Sequence, residues 1–177
     1  MQRIVSLGAL LADLPHTRPP RVTGSSTDPT WHARLEAWGI SRRSRYEGPT
    51  GIASVVLDAA RRRGMASLSL MGQAPHYLEG ATNPAVSRAL LTLVTRLLSL
   101  ELDMSQLDTA VKVFRTRCDQ VVAQDAATQA YVRQLEQDYD TTVDEVPRPQ
   151  RDSDFNPEQL MHELEDFLRQ ERDRGAE

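Results

Sequence analysis

An apolar run over residues 3–12, opening with Arg3-Ile4-Val5-Ser6-Leu7, predicts a strand. It gives way to Asp13-Leu14-Pro15-His16-Thr17-Arg18-Pro19-Pro20, where successive prolines forbid helix and predict an extended, exposed loop. Arg21-Val22-Thr23 reads as a brief strand before a turn cluster, Gly24-Ser25-Ser26. A helix comes next: Thr27 or Asp28 can cap it, Pro29 suits its first turn, and Gly39 is placed to end it. Trp31, Leu35 and Trp38 share one face of that helix and read as core.

Ser44-Arg45-Tyr46 reads as a short strand, then Glu47-Gly48-Pro49-Thr50-Gly51 leads into a helix with apolar positions Ile52, Val55, Val56, Ala59 and Ala60, closed by Gly64. Ala66-Ser67-Leu68-Ser69-Leu70-Met71 is a short apolar run that stops at Gly72 and opens into a polar loop. Such a run suits a buried strand of a parallel sheet flanked by helices. Residues 44–71 thus predict a β-loop-α-β unit with a right-handed parallel crossover. Pro84 starts a helix apolar nearly all round, with Val86, Leu90, Leu93, Leu97 and Leu98, as for a helix packed between two layers.

The pattern then turns all-helical. Asp103 or Ser105 can cap a helix with Leu107, Val111, Phe114, Cys118 and Val121 on one stripe, and another from about Ala126 places Tyr131, Leu135 and Tyr139 inward. The prolines and aspartates of residues 141–157 mark a linker, and Leu160, Met161, Leu164, Phe167 and Leu168 lie on one side of a last helix. The expected organisation is an α/β portion over residues 1–100, a helical extension over 101–140, the linker 141–157 and a C-terminal amphipathic helix over 158–177.

A chain of 177 residues can bury a substantial core. A formal charge of −4 argues against nucleic-acid or anionic-membrane partners, which want a net basic face. Arg42, Arg43 and Arg45 are a local exception, and Arg61–Arg63 stand where a helix end favours cations. A single cysteine, Cys118, leaves no intramolecular disulfide, and its apolar stripe makes it a packing residue. With no apolar run of bilayer length and no signal-type N-terminus, the expected location is the cytoplasm.

In open parallel sheets ligands bind beyond the carboxyl ends of the strands, where this chain puts three polar loops. They offer Asp13, His16 and Arg18; Glu47, Gly48, Thr50 and Gly51; and His76, Tyr77 and Glu79. The amides of Gly48–Gly51, at a helix start, suit an anion, yet Ile52 and Ala53 stand where a Walker motif needs lysine and a hydroxyl. His16 and His76 could serve as general bases, with Asp13 near His16, but no motif places a nucleophile beside them. The plainer reading is that these prolines and glycines shape turns and the polar groups face water. His32 and His162 read as solvated helix histidines, so no catalytic residue, metal ligand or cofactor is assigned.

Leu7-Gly8-Ala9-Leu10-Leu11-Ala12-Asp13 with Pro15-His16-Thr17-Arg18-Pro19, then Tyr46-Glu47-Gly48-Pro49-Thr50-Gly51-Ile52, then Pro75-His76-Tyr77, together resemble the actinobacterial branch of the proteasome assembly chaperone family. Glu101-Leu102-Asp103 and Tyr131-Val132-Arg133-Gln134-Leu135-Glu136 fit the same branch, so the resemblance covers nearly the whole chain. It implies a three-layer α/β/α, nucleoside-phosphorylase-like fold with a mainly parallel sheet, followed by a helical extension. It also implies a protein partner or a homo-oligomer, with proteasome subunits as the candidate partners, since eukaryotic and archaeal members are chaperones that bind proteasome α-subunits.

Two departures qualify the match. Members usually carry a substantial α/β portion upstream of the Leu7–Asp13 segment, so the sheet is expected to be incomplete, with an edge and an apolar face that need covering. The chain ends Arg174-Gly175-Ala176-Glu177 where some proteasome partners carry a hydrophobic-tyrosine-any residue tail, so docking by that route is not expected. No ATP-grasp signature is present either. The expectation is a non-enzymatic assembly or interaction protein; the alternative is a small-molecule or nucleotide-binding enzyme, hydrolase or phosphorylase-like, using the three-loop crevice.

Overall fold

The computed structural model describes residues 3–40 and 52–141. In chain order these form β1 (Arg3–Ala12), β2 (Val22–Ser26), α1 (Pro29–Ala37), α2 (Ile52–Arg62), β3 (Ala66–Pro75), a 3-10 turn at His76–Leu78, α3 (Pro84–Leu98), α4 (Ser105–Val122) and α5 (Ala126–Thr141). The expected strand at Ser44–Tyr46, the loop Glu47–Gly51, Arg42, Arg43 and Arg45, the linker beyond Thr141 and the C-terminal helix all lie outside the described residues.

The chain is α/β, with its three described strands in one small mixed sheet of order β1-β3-β2. β2 runs antiparallel to β3, pairing Val22 with Gly72 and Ser26 with Leu68, which corrects the expected mainly parallel sheet. The cause is a polar corner. The Thr27 N–H donates to the Ser67 carbonyl at 2.9 Å, Ser26 Oγ donates to the same carbonyl at 2.8 Å, and the Ser67 N–H donates to Thr27 Oγ1 at 2.8 Å. These bonds tie the end of β2 to the start of β3, a juxtaposition that antiparallel strands provide.

Gly24-Ser25-Ser26 is therefore strand and not the expected turn. Gly24 stands in it because α1 and β3 close over that point: a Cβ there would lie 2.7 Å from Leu70 Cδ2 and 3.3 Å from Leu35 Cδ2. Likewise β3 does not stop at Gly72 but continues to Pro75, and a Cβ on Gly72 would meet Val86 Cγ1 at 2.5 Å. Both glycines mark close packing, a role a glycine inside a strand often has.

The residues group into two compact units. The first takes residues up to Leu10, Arg21–Gly72 and Val86–Met104. Its core holds Trp31 and Leu35 of α1, Leu68 and Leu70 of β3, and Val86, Leu90 and Leu97 of α3. Asp28 caps α1 by accepting from the Thr30 and Trp31 amides at 2.9 and 3.2 Å, as expected for an aspartate before Pro29. Arg3 pairs with the same carboxylate at 3.0 Å while its guanidinium lies over the Trp31 ring. α2 ends as expected before Gly64, whose φ of 68° suits glycine, but its apolar positions Ile52, Val55 and Val56 are exposed.

The second unit takes Leu11–Pro20, Gln73–Ala85 and the chain from Ser105 on. Here α4 and α5 pack on the 3-10 turn around a cluster of Tyr77, Leu78, Cys118, Val132 and Leu135, flanked by Phe114, Val122 and Tyr131. Asp125 starts α5, accepting from the Thr128 amide and hydroxyl at 2.6 Å each. From α5, Tyr131, Glu136 and Asp140 reach the loops of this unit.

Candidate functional site

Of the ten residues singled out on the three loops, five come together, all in the second unit: Asp13, His16, Arg18, His76 and Tyr77. Glu47, Gly48, Thr50 and Gly51 lie outside the described residues. Glu79 comes just after the 3-10 turn and is exposed.

Pro15 and Pro75 are both fully buried and stiffen the backbone just before the two histidines. Tyr77, 2% exposed, then couples the loops. Its Oη accepts the His16 amide proton at 2.8 Å and lies 2.7 Å from His16 Nδ1. Having accepted from the amide, the phenol gives its proton to Nδ1, so the ring carries its own proton on Nε2 and donates it to Asp119 Oδ1 at 3.1 Å. His16 is thus a neutral imidazole with every polar atom engaged.

A second relay runs beside the first. His76 Nε2 lies 3.1 Å from Tyr131 Oη, and Nδ1 lies 3.0 Å from Asp13 Oδ1. The latter pair is close but out of line for a hydrogen bond, which leaves Nδ1 buried without one and makes Asp13 act as a nearby charge. The four rings meet edge to face, with centroids 5.7 Å apart for His76 and Tyr77 and 5.8 Å for His76 and Tyr131. Arg18 extends the network outward: its Nε and Nη2 fork onto Asp140 at 2.9 and 2.7 Å, and Nη1 reaches Glu136 at 3.1 Å. Glu136 also accepts from Thr17 Oγ1 at 2.5 Å, and Tyr139 donates to the Pro19 carbonyl at 2.8 Å.

The electrostatics arise from burial. Desolvation holds the His16 pKa below the ordinary histidine value, outweighing the hydrogen bond and charge of Asp119 and the charge of Glu136, while Arg115 pushes the same way as burial. Burial drives the Tyr77 phenol well above its usual value, although the His16 amide favours the phenolate. It likewise pushes Tyr131 up to about 12, helped by Asp13 and Asp138, and Cys118 up to about 12, helped by Asp119. The Asp140 hydrogen bond keeps Arg18 firmly charged, and Arg18 in turn lowers Asp140.

An Asp–His–Tyr order invites a comparison with nucleophilic triads, but the geometry turns inward. The phenol of Tyr77 is buried, is kept protonated and already holds an amide donor, so it cannot present an oxyanion to a substrate. What the cluster does is fasten the loops Leu11–Pro20 and Gln73–Ala85 to α4 and α5. The expectation that these polar groups face water is corrected for His16, His76 and Tyr77, which are buried. Reasoning from sequence also missed the part that Asp119, Glu136 and Asp140 play on the rim, and read Tyr139, which bonds the Pro19 carbonyl, as an inner packing position. One signal was available, since Glu136 and Asp140 recur one turn apart and so present a paired carboxylate face. Elsewhere, His32 pairs with Glu36, 3.3 Å away on the surface of α1, and His162 lies outside the described residues.

The chain has relatives among known proteins. The sequence model of the PAC2 family matches residues 1–122. A Mycobacterium tuberculosis proteasome-assembly chaperone homologue is 34% identical, with a TM-score of 0.61 over 74% of this chain and 54% of that one. A PAC2 family protein from Streptomyces avermitilis is 32% identical, with a TM-score of 0.62 over 73% of this chain and 53% of that one. A Mycobacterium tuberculosis protein of unknown function reaches a TM-score of 0.70 at 26% identity, over 80% of this chain and 47% of that one. The chain therefore spans about half the length of the solved structures it matches. No curated protein matches it.

Proposed function

The chain belongs to the PAC2 family, and from that premise we propose that it works by binding protein, as an assembly-chaperone-like factor whose partner class is the subunits of the proteasome. The observation that carries this reading is the self-occupied rim. Among the described residues, the side chains that would bind or activate a small substrate are engaged within their own unit: His16 on Tyr77 and Asp119, His76 on Tyr131, Arg18 on Glu136 and Asp140. A rigidified rim of this kind presents a fixed surface, which favours association over turnover. The M. tuberculosis proteasome-assembly chaperone homologue, 34% identical to this chain, supports the choice of partner class.

The test is reconstitution. The purified chain is mixed with proteasome α- and β-subunits before they assemble, and the mixture is monitored by native gel and size-exclusion chromatography. Co-migration with a subunit or an assembly intermediate is the expected result. If the chain elutes alone at micromolar concentrations and leaves the rate of core-particle formation unchanged, the reading fails.

A further inference from the structure

The rim accounts for the second unit, but α2 of the first unit has no role in it. Ala60 is the one residue of α2 that is buried, while Ile52, Val55 and Val56 are 79%, 56% and 44% exposed. Ile52, Val55, Val56 and Ala59 recur at the spacing of one helix face, and Arg62 and Arg63 stand one turn further along the same line. Contiguous apolar side chains left open in this way mark a surface that another molecule covers. Along the C-terminal half of the face runs a depression of about 490 Å³ lined by Val55, Asp58, Ala59, Arg62 and Arg63.

Charge narrows what that cover is. Asp58 accepts from Arg61 Nη2 and Arg62 Nε at 2.7 Å each, and Arg63 reaches back to the Ala59 carbonyl at 3.4 Å. One carboxylate thus faces three guanidiniums, and the side chains of Arg61 and Arg62 are still 70% and 77% exposed. The apolar stripe therefore ends in a positive patch. A second copy is a poor cover for it. Paired antiparallel, each arginine end of α2 would meet the other helix's N-terminus, which repels cations; paired parallel, the two arginine ends would meet each other. An anionic bilayer fits no better, because an interfacial helix spreads its basic residues along a polar face, whereas that face of α2 carries Ser54 and Asp58 and the arginines gather at one end. What fits is a helix whose own apolar stripe runs out into carboxylates, laid along α2.

We propose that the Ile52–Ala59 face of α2, with Arg62 and Arg63 at its end, is the docking surface for an amphipathic helix of a partner protein whose apolar side ends in acidic residues. The apolar stripes supply the attraction and the arginines fix the direction in which the partner helix lies. This rests on the protein-binding reading, but its test uses no proteasome subunit, so either can fail alone. Three labelled synthetic helical peptides share one leucine–alanine stripe and differ in the residues that end it: glutamates, glutamines or lysines. Each is titrated with the full chain and followed by fluorescence anisotropy. The glutamate peptide should bind tightest and the lysine peptide at least about tenfold more weakly, with added salt narrowing the gap. Val55→Asp with Val56→Asp should abolish binding of all three. Arg62→Glu with Arg63→Glu should reverse the order, a gain for the lysine peptide that a misfolded chain could not give. A glutamate peptide that fails to bind at about 1 mM chain, three peptides that bind alike, or an order that survives the charge reversal overturns the proposal. So does a dimer of the parent chain in sedimentation that Val55→Asp with Val56→Asp dissolves, since the face would then belong to a second copy. Capture of the parent chain, and not of that variant, by vesicles containing phosphatidylserine would overturn it in favour of a lipid surface.

Discussion

Tyr77→Phe removes one oxygen and leaves the ring in its packing. That oxygen accepts the His16 amide at 2.8 Å and meets His16 Nδ1 at 2.7 Å. Without it the amide has lost its acceptor in a buried site. Nδ1 has lost its donor, and moving the ring proton there would not meet it, because no acceptor is left beside it and the Nε2–H bond to Asp119 would go. A buried polar group left unmet costs about 1–3 kcal/mol, and shedding the buried hydroxyl returns part of that. The expected loss is therefore about 2–4 kcal/mol, or a drop in Tm of roughly 5–12 °C for a chain of this size. Urea unfolding monitored by circular dichroism measures it, with the m-value unchanged if the native fold is kept. A double-mutant cycle with Asp119→Ala should show coupling above about 0.5 kcal/mol, because both substitutions act on one imidazole. A Tyr77→Phe chain within about 0.5 kcal/mol of the parent, or strict additivity with Asp119→Ala, would refute the idea that this phenol fastens the loop.

The same network sets a pH dependence. The His16 pKa in the folded chain lies below its unfolded value of about 6.5, so the unfolded state binds the proton more readily, and stability should fall as pH drops below about 6.5 and level off under the folded pKa. Urea midpoints from pH 7.5 to 5 should show this slope, and His16→Gln should reduce it. Gly24→Ala puts a methyl 2.7 Å from Leu70 Cδ2 inside the core, and we expect it to cost about 1–3 kcal/mol by thermal unfolding. Asp28→Ala removes both the α1 cap and the partner of Arg3 and should cost about 1–2 kcal/mol, while Asp28→Asn, which still caps, should lose less. Cys118, buried and pushed up to about 12, should react with a thiol reagent at the rate of unfolding, so prompt labelling of the native chain would contradict its packing role.

Local signals carry the elements well. Asp28 before Pro29 places the start of α1, the run over residues 3–12 is β1, and the Tyr131–Tyr139 periodicity is α5. Failures come where tertiary packing overrides a local signal. A glycine in a chain fragment reads as a stop, yet Gly24 and Gly72 sit inside strands because a neighbouring side chain occupies the space of a Cβ. Strand direction is misjudged for a similar reason. An apolar run does not say which strand will lie beside it, and the Ser26–Thr27–Ser67 bonds that set β2 against β3 join residues some 40 positions apart.

The rim shows the same limit in its chemistry. Asp13, His16, Arg18, His76 and Tyr77 are legible as a convergent polar set because topology carries strand ends to one side of a sheet. What they do there is decided by Asp119, Tyr131, Glu136 and Asp140, which contact them across 55 to 122 residues of chain. Convergent polar side chains around an open mouth describe a ligand site; the same side chains with their hydrogen bonds met by two helices describe a clamp. Burial decides which, since His16 and Tyr77 in water would keep ordinary titration and reactivity, whereas here desolvation holds the imidazole neutral and the phenol protonated. Among the described residues, the groups that make a rim look catalytic are the ones bonded to α4 and α5.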